Sequence, residues 1–198
     1  MVKLIAPEQI IETSRLLLEP LVPDHASAIY KQLLDHRLYQ FIPQSPPMSL
    51  QTVETRYLTL SSRLSPDKQE AWLNWVIRFR EFREYVGILE ATVHTNRTAA
   101  IAYTIFPLFW RQGYAKEGCS RVLEYLFKEY KVSVVTADID TRNIASISLV
   151  EALGMKLTST RTNADFFKGS VSDEYRYEMV SPLTPLSGSV DKKPFLAR

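Results

Sequence analysis

The stretch WRQGYAKEG, Trp110 to Gly118, lies between an apolar run with strand character and a run with helical spacing. Its residue types suit a phosphate. Gly113 stands just ahead of the helical run, with the small Ala115 two residues on. At such a place the free N–H groups of a first helical turn and the positive end of the helix dipole attract an anion. A glycine lets the backbone come close where a bulky side chain would block it. Arg111 and Lys116 add positive charge. The loop is not a Walker A motif, since no Gly-Lys-Ser/Thr follows, and only one glycine is placed as the dinucleotide fingerprint requires. Taken alone it reads first as a turn with solvated cations, and the neighbouring elements have to decide.

Those elements follow from hydrophobic period. SRLLLEPL, Ser14 to Leu21, reads as a short strand. Pro23 and Asp24 offer a helix start with Asp24 as N-cap, and Ile29, Leu33, Leu34 and Leu38 extend the helix from His25 to about Leu38. The proline cluster IPQSPP stops it, and a second helix from Ser49 to about Leu64 carries Val53, Tyr57, Leu60 and Leu64 on one face. The period then becomes two: Ala71, Leu73, Trp75, Ile77 and Phe79 alternate with the other face of a strand. That alternation sends Trp75 to the core and Trp72 to the opposite side, at a cleft or an interface. Strands over Glu84 to Val93 and Ala99 to Phe106, joined by the tight HTNRT connection, complete an antiparallel meander.

Helical spacing returns after the loop, with Ala115, Cys119, Val122, Leu123, Leu126, Phe127 and Tyr130 on one stripe. A strand from Val132 to Asp140 follows, then a helix from about Asn143 to Leu153 that Gly154 ends. MKLTSTR and DEYRYEMV read as two closing strands. The expected fold is α/β of the α+β type: a mixed, mostly antiparallel central sheet of about seven strands flanked by helices. In such a sheet ligands gather where neighbouring strands diverge and a helix N-terminus faces the gap. Residues 10–180 make up the domain; 181–198, with three prolines and no periodicity, form a tail.

Composition narrows the classes. A hydrophobic share of 45% supports a sizeable core, and a net charge of +2 is too small for a nucleic-acid partner. No apolar run approaches the roughly 20 residues that span a bilayer, so no membrane partner is expected. Lys3, Pro7, Glu8 and Glu12 break up the first residues, which therefore lack the apolar core of a leader. The expectation is a soluble, cytoplasmic protein. The lone Cys119 rules out an intrachain disulfide and falls on the apolar helix stripe, while His25, His36 and His94 are scattered without metal-ligand spacing; no metal is expected.

The arrangement IAYTIFPLFWRQGYAKEG … ADIDTRNIASISLVEALGM resembles the Gcn5-related N-acetyltransferase superfamily, and most closely the branch of ribosomal-protein serine/alanine N-terminal acetyltransferases (RimJ/RimL-like). Pro107, Trp110, Gly113, Tyr114, Ala115 and Glu117 carry the resemblance in the loop, and Asn143, Ser146, Leu153 and Gly154 carry it one crossover later. TSRLLLEPL, Thr13 to Leu21, is similar to that branch's first strand, with Glu19 where an arginine is common. The resemblance covers roughly residues 10–180 and implies the acyl-CoA N-acyltransferase fold. It also implies acetyl transfer from acetyl-coenzyme A, a cosubstrate, to a primary amine by direct attack in a ternary complex.

By that resemblance Arg111, Gln112, Gly113, Tyr114, Ala115 and Lys116 cradle the pyrophosphate. Ile105 and Phe106 offer backbone groups to the pantetheine arm, one N–H also facing the oxygen that gathers charge. Asn143 bonds the pantetheine near the thiol, or caps the following helix, and the two roles are compatible. Many members use a helix tyrosine as general acid; the corresponding position here is Val150, which has no proton to give. In the ribosomal-protein branch the serine of N-x-x-S takes that role, here Ser146, whose alternative is only to bond a helix carbonyl or coenzyme A. The branch's carboxylate base corresponds to Asp165 in TNADFF. Glu90, flanked by Leu89 and Ala91, is a second candidate. As plain structure, Asp165 is a turn residue and Glu90 lies on a solvated strand face. The acceptor is a protein N-terminus or a small-molecule amine, and closing-strand exchange offers a route to a homodimer. The competing classes are a non-catalytic acyl-coenzyme A-binding module and a partner-docking protein.

Overall fold

A computed structural model describes residues 9–183. Residues 184–198, most of the expected tail, lie outside the described residues. Strands β1 (Ile11–Glu12) and β2 (Leu16–Pro20) lead into helix α1 (His25–Leu33), and α2 (Leu50–Leu60) follows. Then come β3 (Glu70–Phe79), β4 (Tyr85–His94), β5 (Thr98–Ile105), α3 (Tyr114–Lys128), β6 (Val134–Asp140), α4 (Ile144–Ala152), β7 (Lys156–Phe167) and β8 (Ser170–Val180). All eight strands join one sheet in the order β1-β2-β3-β4-β5-β6-β8-β7. The mixed, mostly antiparallel sheet with flanking helices is the expected architecture. The extra strand over the expected seven is the short β1 at one edge.

The strand period decides what covers each face. Ala71, Leu73, Trp75 and Ile77 of β3 and Leu89, Ala91 and Val93 of β4 are buried with Cys119, Val122, Leu123 and Leu126 of α3. Trp75 packs edge-on against Tyr125 at 6.1 Å, so it is the core tryptophan. The opposite face meets α1 and α2 through Val76, Ile88, Ile29, Val53 and Tyr57. Each such side chain stabilises the fold by about 1.5–3 kcal/mol relative to exposure. Cys119 is fully buried, and burial pushes its thiol up to about 12, as befits a core residue. Among the described residues no helix is long and apolar enough to cross a membrane.

Three expectations need correction. Helix α1 stops at Leu33, not Leu38: Asp35 turns extended, accepts the Arg37 N–H at 3.0 Å and starts a separate 3-10 turn, His36–Tyr39. Asp24 holds the N-cap position of α1 as expected, but its side chain makes no capping bond, because the chain already turns there and the Val22 and Pro23 carbonyls take the His25 and Ala26 N–H groups at 3.1 and 2.9 Å. Helix α2 ends at Leu60, and Leu64 instead bridges Ala71.

Among the described residues only one strand pair is parallel, and it is short. β5 and β6 pair at Thr98↔Val134, Ala99↔Val135 and Ala100↔Thr136. Beyond Ala100 and Thr136 they run on unpaired to Ile105 and Asp140, so a gap opens between their C-terminal ends.

Candidate active site

Each strand leaving the gap delivers a helix N-terminus. From β5 the chain passes a 3-10 turn, Pro107–Phe109, and the loop to α3. Arg111 and Gly113 both take left-handed backbone, at φ 59° and 82°. Gly113 is the N-cap of α3 and carries no side chain to occupy it; the first helical bond is Glu117 N–H to the Gly113 carbonyl at 3.1 Å. The N–H groups of Tyr114, Ala115 and Lys116 therefore precede the ladder and face outward. Among the cations of the loop, Arg111 and Lys116 are both solvent-facing.

A cation from elsewhere reaches the same loop. Arg15, just ahead of β2, donates through Nη1 to the Gln112 carbonyl at 3.1 Å and through Nε to Glu117 Oε2 at 2.7 Å. Its guanidinium lies 4.4 Å from the Tyr114 ring centroid. Glu117 also accepts from Thr13 Oγ1 at 2.6 Å, Ser14 Oγ at 2.9 Å and the Arg15 N–H at 2.8 Å. Burial works against its ionisation, yet these bonds outweigh burial and hold the carboxyl down at about 2. The segment before β2 is thus clamped onto the first turn of α3.

At the end of β5 the backbone groups divide. Phe106 N–H donates to the Val86 carbonyl at 2.9 Å and its carbonyl accepts from Phe109 N–H at 2.9 Å. Phe106 is therefore not a free donor, a correction to its expected role, because it closes the last rung of the β4–β5 ladder. Paired residues alternate in such a ladder, so the Ile105 N–H points away from β4, toward the gap. The Ile105 carbonyl on that side accepts from Trp110 Nε1 at 2.6 Å.

On the β6 side, Asn143 caps α4: its Oδ1 accepts the Ser146 N–H at 3.1 Å, and its amide NH₂ is left over. The Ser146 carbonyl accepts from Tyr103 Oη at 3.2 Å, a tie from β5 across to α4. Burial raises the Tyr103 phenol well above its ordinary range, so it stays a donor. The Ser146 side chain also hydrogen-bonds the Tyr103 phenol, and its hydroxyl makes no bond to a helix carbonyl among the described residues. Val150 is fully buried one turn on. Asp140, at the end of β6, is held at about 2, first by the Arg142 guanidinium at 2.6 Å and also by Ser172 Oγ at 2.6 Å.

The two carboxylates lie apart from this group. Asp165 is no turn residue: β7 runs through TNADFF, with a bulge between Arg161 and Asp165 where Asn163 is left-handed. Asp165 sits exposed on the outermost strand, with β8 and β6 between it and the gap, and accepts the Phe166 N–H at 2.7 Å. Glu90 faces Ala102 of β5 in register, on the face that α1 and α2 cover, and meets Arg56 at 3.4 Å. Leu89 and Ala91 point to the other face and do not enclose it.

Sequence reasoning missed Arg15 and Tyr103 as parts of this site. Tyr103 shares a strand face with Ile101 and Ile105, and its partner lies 43 residues away. Arg121, four residues on from Glu117, meets Glu124 rather than Glu117. Among the described residues no three His, Cys, Asp or Glu gather as metal ligands.

A family model described as an acetyltransferase (GNAT) domain matches residues 15–156. YoaA of Bacillus subtilis (strain 168), an uncharacterised N-acetyltransferase, is 25% identical over 175 residues, 87% of this chain and 97% of its own length. RimL, a ribosomal L7/L12 α-N-protein acetyltransferase solved with coenzyme A, superposes with a TM-score of 0.78 at 17% identity over 87% of this chain and 98% of its own. Spermidine N-acetyltransferase from Vibrio cholerae, solved with coenzyme A and spermine, gives 0.74 at 19% identity over 85% and 96%. At these identities the likeness of the two structures is one of fold.

Proposed function

The chain belongs to the GNAT acetyltransferase family, and from that premise we propose that it carries the acetyl group of acetyl-coenzyme A to a primary amine of a protein N-terminus or a small molecule. The observation that supports this most is the meeting of three parts at one gap. These are the uncapped N-terminus of α3, the outward Ile105 N–H, and the Asn143–Ser146 turn of α4. The left-handed Gly113 and the free first-turn N–H groups fit a pyrophosphate, with Arg111 and Lys116 beside it and Arg15 bracing the loop. Bound there, the coenzyme supplies an acyl thioester activated for attack by an amine in a ternary complex.

The chain's own groups then divide the work. Ile105 N–H stabilises the thioester oxygen as charge gathers on it. The Asn143 amide nitrogen orients the pantetheine arm, and the Ser146 hydroxyl gives a proton to the departing thiolate. An N-terminal amine, with a pKa near 8, loses its proton with little help, whereas an alkylammonium near 10.4 needs a base. A water-relayed path to Asp165 or Glu90 serves that purpose. The N-x-x-S turn and the apolar Val150 support a place near the ribosomal-protein branch, and the outer edge of β7, unpaired among the described residues, supports a homodimer by strand exchange.

Thiol release from acetyl-coenzyme A, followed with a disulfide dye across peptides, polyamines and aminoglycosides, tests the reading. Ser146→Ala should lower kcat by about 10–100-fold, the low end for general acid catalysis because a thiolate leaves readily, with the acetyl-coenzyme A KM little changed. An unchanged kcat clears Ser146 of proton transfer. Coenzyme binding by calorimetry with no thiol release from any amine supports the non-catalytic module instead.

A further inference from the structure

On the face of the sheet that α1 and α2 cover, a cavity of about 260 Å³ opens between α2 and strands β3 to β5. Leu60 and Trp72 wall it, the small Ala102 leaves room on β5, and Asn74, Glu90 and Thr92 supply polar atoms. Two of the three side-chain N–H donors of this lining are already engaged. Trp72 Nε1 donates to Glu70 Oε2 at 2.9 Å, and Asn74 Nδ2 donates to the Trp72 carbonyl at 3.2 Å. What remains for a ligand is an indole ring, one amide N–H, and three acceptors: an amide oxygen, a carboxylate and a hydroxyl. Such a surplus of acceptors beside an aromatic ring suits a cation, which gains a charge-assisted hydrogen bond and a cation–π surface. Glu90 meets one cation of the protein, Arg56 Nη2 at 3.4 Å, whose side chain is 62% exposed. A contact that long and that wet contributes little, and a ligand ammonium displaces it readily.

Position supplies the second half of the argument. Ala102, opposite Glu90, precedes Ile105 by three residues on β5, roughly 10 Å along the strand. An amine attacking at the Ile105 level therefore has the cavity within reach of a short chain. We propose that the cavity binds the second ammonium of a linear diamine acceptor, with Glu90 as its counter-ion and Trp72 as its wall. The inference rests on the acetyl-transfer reading and assigns Glu90 to recognition in place of proton removal.

Thiol release with hexamethylenediamine and with hexylamine, equal in chain length, tests it. The wild type should favour the diamine in kcat/KM by about tenfold or more, beyond the factor from its two equivalent ends, and Glu90→Gln should bring the ratio close to one by raising the diamine KM. Trp72→Leu, a variant that keeps Glu90, should reduce the ratio part of the way. If Glu90→Gln slows both amines alike and the ratio stands, Glu90 is a base and the inference falls. Equal wild-type turnover of the two amines, or a clear preference for a peptide with an N-terminal serine, also overturns it and leaves acetyl transfer intact. Coenzyme binding without thiol release from any amine overturns both readings.

Discussion

Glu117 sits in the first turn of α3, where the helix dipole favours an acid, and four hydrogen bonds from residues 13–15 converge on it. Its folded pKa of about 2 lies below the ordinary glutamate value of about 4.3. A depressed carboxyl stabilises the fold above the unfolded value and loses that contribution as pH falls through the folded one. The clamp is therefore intact at neutral pH and weakens between about pH 4.3 and 2. Glu117→Gln should lower Tm by about 3–6 °C at pH 6, and this gap should close as both proteins are scanned toward pH 2.5 by calorimetry. The residue was visible in the loop quoted at the outset, but its partners were not. Its acid type and first-turn position are local facts, whereas Thr13 and Arg15 stand more than a hundred positions away. Asn143 was the opposite case, since N-capping is decided within three residues and both its type and its place could be read directly.

The β7–β8 hairpin shows what an element hides. Its closing strands were legible from DEYRYEMV and MKLTSTR, but TNADFF reads as turn chemistry, and only pairing with β8 across a bulge makes it strand. The turn itself is Lys168–Gly169, both left-handed at φ 51° and 78°, between the paired Phe167 and Ser170, as a two-residue hairpin requires. From that tip Lys168 Nζ donates to the carbonyls of Tyr39 at 2.7 Å, Ile42, and Gln44 at 2.9 Å. One ammonium thus holds the proline-bounded loop after α1, on the side of the sheet where the acceptor cavity opens. Lys168→Met should raise the acceptor KM about five- to tenfold, a loss of about 1–1.4 kcal/mol, and leave the acetyl-coenzyme A KM unchanged. Faster amide exchange over residues 39–44 in the variant would trace the effect to that loop.

Across the whole molecule the sheet divides where its ladder is thinnest. β1 to β5 are antiparallel neighbours in chain order, and β6 to β8 form a second group. Three register pairs join the groups, against seven between β6 and β8. The seam was predictable in kind, since a meander followed by a strand–helix–strand crossover forces one parallel pair. Where the pairing stops was not predictable, because it depends on how both groups twist. A coenzyme lodged in the gap touches both sides and stabilises the folded state. At a hundred times its Kd, acetyl-coenzyme A should add about 2.7 kcal/mol and raise Tm by roughly 5–10 °C. Gly113→Trp should abolish that shift while keeping the native circular dichroism, because a side chain at φ 82° strains the loop locally and an indole there fills the space the pyrophosphate needs. The thin seam also bears on synthesis. Strands β1 to β5 pair with sequence neighbours and can assemble as the chain leaves the ribosome. β6 has little to hold it until β8 pairs along its other edge. Residues 11–105 can thus be in place while the nascent chain still has no cleft, and competence for the coenzyme waits on the pairing of β8.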